Sequence, residues 1–306
     1  MDFTPSAFAA GLGVGLVVGL TGSGGGALLT PILILAMGAN AKSAVATDLV
    51  ASLFMRPAAA VVHLKRSVVN WSIAKWMVVG SVPAAFISGA LSGAFIPAHS
   101  ADAVLEPAIG ALLIVSGAGA IGRRFVHART STAAASRDSV IVRPLITVAI
   151  GVVGGIAVGV TSVGSGTLML VALAFIYPSL SAYELVGTDL VQAVPLVLAA
   201  AAGHLVVGGV HVPLTVAVVL GGIPGALFGA WVSKFVKARH LGAIVAAVIL
   251  ASGCALIGWV PGTVVGAVVA VSLSIFVAVA RRRAGTRRDS SDEPVTTAAI
   301  VVAAGD

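Results

Sequence analysis

Apolar residues run along this chain in long blocks separated by short polar gaps. A block of about 18–25 residues, at ~1.5 Å per residue, matches the ~30 Å hydrocarbon core of a bilayer, so each block reads as a membrane-crossing helix. Uninterrupted candidates lie at 44–66, 72–95, 103–122, 184–208, 212–235, 240–258 and 262–280. Two other stretches, 8–37 and 145–178, are longer than one crossing. Each is broken by a glycine-dense segment, Gly19-Leu-Thr-Gly-Ser-Gly-Gly-Gly-Ala27 in the first and Gly159-Val-Thr-Ser-Val-Gly-Ser-Gly-Thr167 in the second. The tail from Arg281 is charged and rich in Ser, Thr, Asp and Glu, and predicts disorder.

Composition agrees with this pattern. Of 306 residues, 58% are hydrophobic and only 9% charged, against about 25% charged in a soluble domain. The net charge of +7 does not point to nucleic acid, because the basic residues sit in the gaps between apolar blocks. The single cysteine, Cys254, lies inside an apolar block and excludes a disulfide framework or a thiolate metal site. No basic n-region precedes the first block, so no removable signal peptide is expected.

The blocks repeat. Gly11, Gly15, Gly19, Thr21, Gly24, Gly26 and Leu28 match Gly151, Gly155, Gly159, Thr161, Gly164, Gly166 and Leu168 at an offset of 140. After a one-residue slip, Thr47, Asp48, Leu49, His63, Gly80 and Pro83 match Thr188, Asp189, Leu190, His204, Gly221 and Pro224 at 141. The organisation expected is a first transmembrane repeat at 1–122, a basic cytoplasmic linker at 123–143, a second repeat at 144–258, an extra helix at 259–280 and a tail at 281–306.

Lysine and arginine near span ends mark the cytoplasmic side. Taking the gap at 65–75, the linker, the gap at 234–239 and the tail as cytoplasmic places 16 of the 18 basic residues inside, with Lys42 and Arg56 as exceptions. Each broken stretch must then enter and leave on one face, as two half-helices of roughly 13 residues, ~20 Å each. Three full spans per copy is an odd number. The fold class expected is therefore an all-α polytopic membrane protein with an inverted-topology repeat. Each half is a re-entrant helical hairpin plus three transmembrane helices, with one extra C-terminal helix. The N-terminus would lie outside and the C-terminus in the cytoplasm, in the plasma membrane.

Paired breaks at corresponding points of two halves point to a transporter site, since non-helical backbone at membrane depth must line protein or a water-filled cavity. The helices that follow the breaks would aim their N-terminal N–H groups at a small anion. Thr21, Ser23, Gly24, Gly25 and Gly26 of the first break, and Thr161, Gly164, Ser165 and Gly166 of the second, are the candidate anion-binding residues, with Ser162 and Thr167 adding hydroxyls. Gly11, Gly15 and Gly19 read instead as close helix-packing positions. On span 44–66, Asp48, Ser52, Arg56 and His63 fall within about 80° of one another around the helix axis. A mid-span Arg costs at least ~2.5–3.5 kcal/mol and must face protein or water, so Arg56 is the candidate counter-charge for an anion. The second copy has Val197 at that position.

Thr47, Asp48, Thr188 and Asp189 lie about one turn into their expected spans. Each Thr-Asp pair either caps the start of its helix or, through its aspartate, couples a proton or cation to transport. His63 and His204 sit near the opposite span ends, either as interfacial anchors or as proton-relay groups. Trp71, Trp76, Trp231 and Trp259 fit aromatic belts. The glycine runs lack the Gly-Lys-Ser/Thr of a phosphate loop, and no metal, cofactor or catalytic residue is expected.

In the order Gly22-Ser-Gly-Gly-Gly-Ala-Leu-Leu-Thr-Pro31, Ala44-Val-Ala-Thr-Asp-Leu49, Val69-Asn-Trp71 and Val186-Gly-Thr-Asp-Leu190, the chain resembles the TauE/SafE family of sulfite exporters over roughly 8–258. The resemblance implies transport of sulfite, thiosulfate, a sulfonate or another sulfur-containing anion. It departs at Val171, where the first copy has Pro31, and Cys254 lies outside the motifs, so a relative that uses intramembrane cysteines is not matched. The partners expected are a small inorganic or organosulfur anion and the lipid bilayer, with no nucleic acid. Against a secondary transporter, driven by protons or another ion or working as a uniport, stand an anion channel or non-transporting membrane subunit, and more remotely an intramembrane hydrolase using Ser23 or Ser165 with a histidine.

Overall fold

A computed structural model describes residues 5–21, 26–64, 69–97, 100–130, 142–166, 168–207, 210–232 and 238–268. Ten α-helices are assigned among them: α1 Pro5–Thr21, α2 Gly26–Met37, α3 Ala41–Leu64, α4 Trp71–Phe95, α5 Ala101–Thr130, α6 Pro144–Thr161, α7 Leu168–Ile176, α8 Ala182–Val206, α9 Val212–Val232 and α10 Ala238–Leu256. The described residues contain no strand. Among the described residues, five helices are long and apolar enough to cross a membrane, in α4, α5, α6, α8 and α9, and three shorter apolar helices accompany them. The expected span at 262–280 and tail at 281–306 lie largely outside the described residues. Outward-facing Leu145 (86% exposed) and Phe95 (76%) typify the apolar surface these helices present.

Each half-helix pair differs from the expectation of two equal pieces. The pairs run 17 and 12 residues in the first break and 18 and 9 in the second, so α6 alone reaches crossing length. The reason is packing. A Cβ on Gly151, Gly155 or Gly159 would overlap the backbone carbonyls of Met77, Ser81 or Ala85 on α4. This glycine seam holds α6 helical until Thr161, and the chain breaks only afterwards. The hairpin does close on itself. Tyr177, just past α7, shares a 2.6 Å hydrogen bond with the Thr147 hydroxyl and accepts one from the Arg143 backbone N–H at 3.0 Å. The chain thus returns to the end where α6 began.

The same seam occurs twice. Gly11, Gly15 and Gly19 of α1 meet the carbonyls of Val218, Gly222 and Ala226 on α9, position for position with the α6–α4 contacts. From the other side, Gly80 approaches the Val148 carbonyl as Gly221 approaches that of Phe8. The packing reading of these glycines holds, and the seams run between the halves, since α1 packs on α9 and α6 on α4. α3 and α8 cross at the centre, and α5 packs against α10.

Helix ends are fixed by local chemistry. Gly38 at φ 63 takes the left-handed conformation that ends α2, its N–H bonding the Ile34 carbonyl at 3.1 Å. Asn40 caps α3 through Ser43 N–H (2.8 Å), and Asn70 caps α4 through Ile73 N–H (3.2 Å). Ser181 and Glu184 form a capping box at α8. α5 runs to Thr130, so Arg123, Arg124 and Arg129 extend a helix where a polar linker was expected. Trp71, Trp76, Trp231 and Trp259 are all exposed, as an aromatic belt requires.

Candidate functional site

The site forms where α3 crosses the tip of the second hairpin. α3 has no charged residue in its middle turns other than Asp48 and Arg56, and both are buried, at 0% and 4% exposure. Asp48 accepts three hydroxyl hydrogen bonds: from Thr30 of α2 at 2.6 Å, from Ser52 one turn along α3 at 3.1 Å, and from Ser162 at 2.8 Å. Ser162 can reach because the chain turns left-handed there, at φ 61, immediately after α6. Gly164, at φ 112, continues a turn that a side chain would strain.

Arg56 holds the other side of that tip. Its Nη1 donates to the Ser165 carbonyl at 3.3 Å and its Nη2 donates to the Ser165 hydroxyl. Its Nε is buried and has no hydrogen-bond partner among the described residues. Asp48 and Asp189 both interact electrostatically with the guanidinium. One buried cation therefore interacts electrostatically with carboxylates from both copies, and its Nε has no hydrogen-bond partner among the described residues.

Asp189, on α8, is set differently. Gln192 Nε2 donates to Asp189 Oδ1 at 3.1 Å and to the Met169 sulfur at 2.8 Å, and the Gln192 carbonyl accepts from Ser81 of α4 at 3.4 Å. The threonines before the two aspartates are structural partners of the opposite half. Thr47 pairs with Thr215 at the start of α9 (3.1 Å), and Thr188 accepts from Asn70 N–H at the start of α4 (3.0 Å).

Several expected roles change. Asp48 and Asp189 lie two turns inside α3 and α8, whose caps are Asn40 and Ser181, so the capping role falls away for both and for Thr47 and Thr188. The helices start earlier than the hydropathy suggested because polar caps extend them. His204 is not at an interface: it is 2% exposed and its Nε2 pairs with the Gly159 carbonyl at 2.8 Å, three residues before the tip turn. Thr161 turns back to the Ala157 carbonyl (2.7 Å) and accepts from Val163 N–H, shaping the tip without facing Arg56. Ser165 and the buried Gly166 belong to the tip itself. Ser23, Gly24, Gly25 and Thr167 lie outside the described residues, as do the side chains of Thr21 and His63, and Gly26 is described only as the first residue of α2.

Thr30, Gln192, Ser81 and Met169 escaped the sequence reading. Thr30 and Gln192 carried a usable signal, being polar residues inside strongly apolar helices with no cap to make. The described residues hold no cluster of His, Cys, Asp and Glu suited to a metal.

The family model described as "Sulfite exporter TauE/SafE" matches residues 7–256. Two Bacillus subtilis (strain 168) proteins are similar. "Probable membrane transporter protein YjnA" is 35% identical over 248 residues, covering 81% of this chain and 97% of that protein. "Probable membrane transporter protein YdhB" is 26% identical over 218 residues, covering 71% and 85%. No solved structure matches significantly.

Proposed function

Because the chain belongs to the TauE/SafE sulfite exporter family of membrane transporters, we propose that it is a secondary transporter of small sulfur-containing anions, working by alternating access. Sulfite, a sulfonate and thiosulfate are the substrate class. The observation that carries this reading is the buried Arg56, held at the hairpin tip by two of its nitrogens, with no hydrogen-bond partner for its Nε among the described residues. A guanidinium is costly at membrane depth, and a tetrahedral or trigonal oxyanion is the ligand that would use its remaining donor.

The halves are read as an inverted repeat, 1–122 and 144–258, that rock against each other. The matching glycine seams, each joining one half to the other, support this, because two equivalent crossings related by exchange of the halves suit an outward and an inward state of similar energy. Sixteen of 18 basic residues fall on one side in the topology with the N-terminus outside and the C-terminus cytoplasmic in a plasma membrane. An enzymatic role has less support. Ser162 and Ser165 engage Asp48 and Arg56, and His204 Nε2 engages a backbone carbonyl, so no serine–histidine pair is formed among the described residues.

The test is flux in proteoliposomes across a panel of sulfite, thiosulfate, methanesulfonate and chloride. Saturable counterflow of at least one sulfur-containing anion is expected. Linear, non-saturating flux would replace the transporter with a channel, and no flux of any anion would refute the reading.

A further inference from the structure

Resting on the reading of Arg56 as the anion's counter-charge, the surroundings of the two aspartates assign the coupling ion: we propose that Asp48 carries a proton that travels with the anion. Asp48, Asp189 and Arg56 form a buried set with two carboxylates and one guanidinium. Adding a monoanion to the ionised set leaves three negative charges against one positive, in a place where uncompensated charge is costly. One proton taken up with the anion returns the set to the charge it had before binding.

Few other groups can share that task. On the elements packed against α3, α8 bears Asp189, Glu184 at its start and His204 in its last turn, while α5 bears Asp102, bound to Ala41 N–H at 2.7 Å, and Glu106. Lys42 lies at the start of α3 itself, and Arg123, Arg124, His127 and Arg129 lie at the far end of α5. α1, α2 and α9 contain no ionisable side chain, and His211 stands just before α9. The hairpin tip at 162–166 offers hydroxyls and backbone only.

The partners then decide between the two carboxylates. Asp48 is held by Thr30, Ser52 and Ser162, and a hydroxyl can donate to a carboxylate or, after rotating, accept from a carboxylic acid. Its surroundings are satisfied in either state. Asp189 accepts from the amide nitrogen of Gln192, which can only donate, and the Met169 sulfur, an acceptor against the same nitrogen, favours that orientation. The proton is therefore assigned to Asp48, whose hydroxyl partners suit both states, rather than to Asp189 beside an amide donor. The step is an O–H bond formed on one carboxylate oxygen of Asp48 from a solvent proton, broken again on the opposite side. Because Ser162 is the first residue of the tip turn, protonation also weakens the tie between α3 and the hairpin.

The experiment uses the full chain in proteoliposomes with methanesulfonate, a strong-acid anion whose own charge does not change near neutral pH, and a pH dye in the lumen. In the wild type, inward methanesulfonate acidifies the lumen, and an acid-outside gradient accelerates uptake. Asp48→Asn exchanges the anion at a rate that no longer varies with pH and acidifies nothing, whereas Asp189→Asn slows exchange but keeps its pH dependence. Thr30→Val with Ser52→Ala, which leaves Asp48 in place, displaces the pH profile to higher pH because the ionised form loses two donors. Wild-type uptake without acidification, or acidification persisting in Asp48→Asn, overturns this inference and leaves the anion site standing. A wild type that exchanges neither methanesulfonate nor sulfite overturns the anion reading beneath it.

Discussion

Asp48 and Asp189 occupy matching positions of the two copies, yet Asp48 accepts from three hydroxyls and Asp189 accepts from an amide. Thr30, Ser52, Ser162, Arg56 and Ser165 surround the first site; the corresponding residues of the other copy are Leu170, Ala193, Gly22, Val197 and Gly25. In the opposite direction, Gln192, Ser81 and Met169 correspond to Ala51, Gly222 and Leu29. The glycine seams behave otherwise, since α1–α9 and α6–α4 repeat contact for contact. The difference separates two demands on a duplicated chain. Under the proposed alternating access, the crossings must stay alike for two conformations to be close in energy, while the proposed one-anion site needs a single guanidinium.

The sharpest way to break this comparison is at Arg56. Arg56→Ala should lower sulfite exchange at least about 100-fold, since a hydrogen-bonded charge in a water-poor site supplies roughly 3 kcal/mol or more. The protein should still reach the membrane, because its loss removes a buried charge along with its bonds. Exchange within a few-fold of wild type would remove Arg56 from the site.

The seams give the next largest effect, and they should respond alike. Gly15→Val and Gly155→Val each place side-chain atoms against a backbone carbonyl, of Gly222 and Ser81 respectively. Overpacking of this kind costs about 1–3 kcal/mol, or a fall of roughly 2–12 °C in Tm for a chain of this size. Thermal denaturation of purified protein measures it. A large loss in one variant and none in the other would mean that the two crossings are not equivalent.

Gln192→Leu should act on one copy only. It removes the donor to Asp189 and leaves Ser81 without its acceptor, at a cost of about 1–3 kcal/mol. Slower exchange with unaltered dependence on pH is expected in the flux assay. Ser181→Ala is the smallest change, removing a capping box distant from both aspartates for about 1 kcal/mol of stability with no change in flux.

How much of this was legible follows from which forces act locally. Apolar blocks and the repeat of Gly11, Gly15 and Gly19 at Gly151, Gly155 and Gly159 are visible in one dimension, and with them the helices and their close packing, but not which helix each seam meets. The stripe of Asp48, Ser52 and Arg56 is visible for the same reason, since one helix sets its own face. The helix starts were not, because Asn40 and Ser181 add turns that hydropathy ignores. Thr30 and Ser162 reach Asp48 from other segments, and His204 finds the Gly159 carbonyl across a helix interface. Such partners depend on packing between segments and have no spacing rule in the chain.

The central claim is that the free edge of Arg56 holds the anion, and calorimetric titration of the purified full chain with sulfite at fixed pH tests it most directly. Wild type is expected to bind saturably, Asp189→Asn to keep measurable binding, and Arg56→Ala to show none over the same concentrations. Equal affinity in wild type and Arg56→Ala would place the anion elsewhere in the protein.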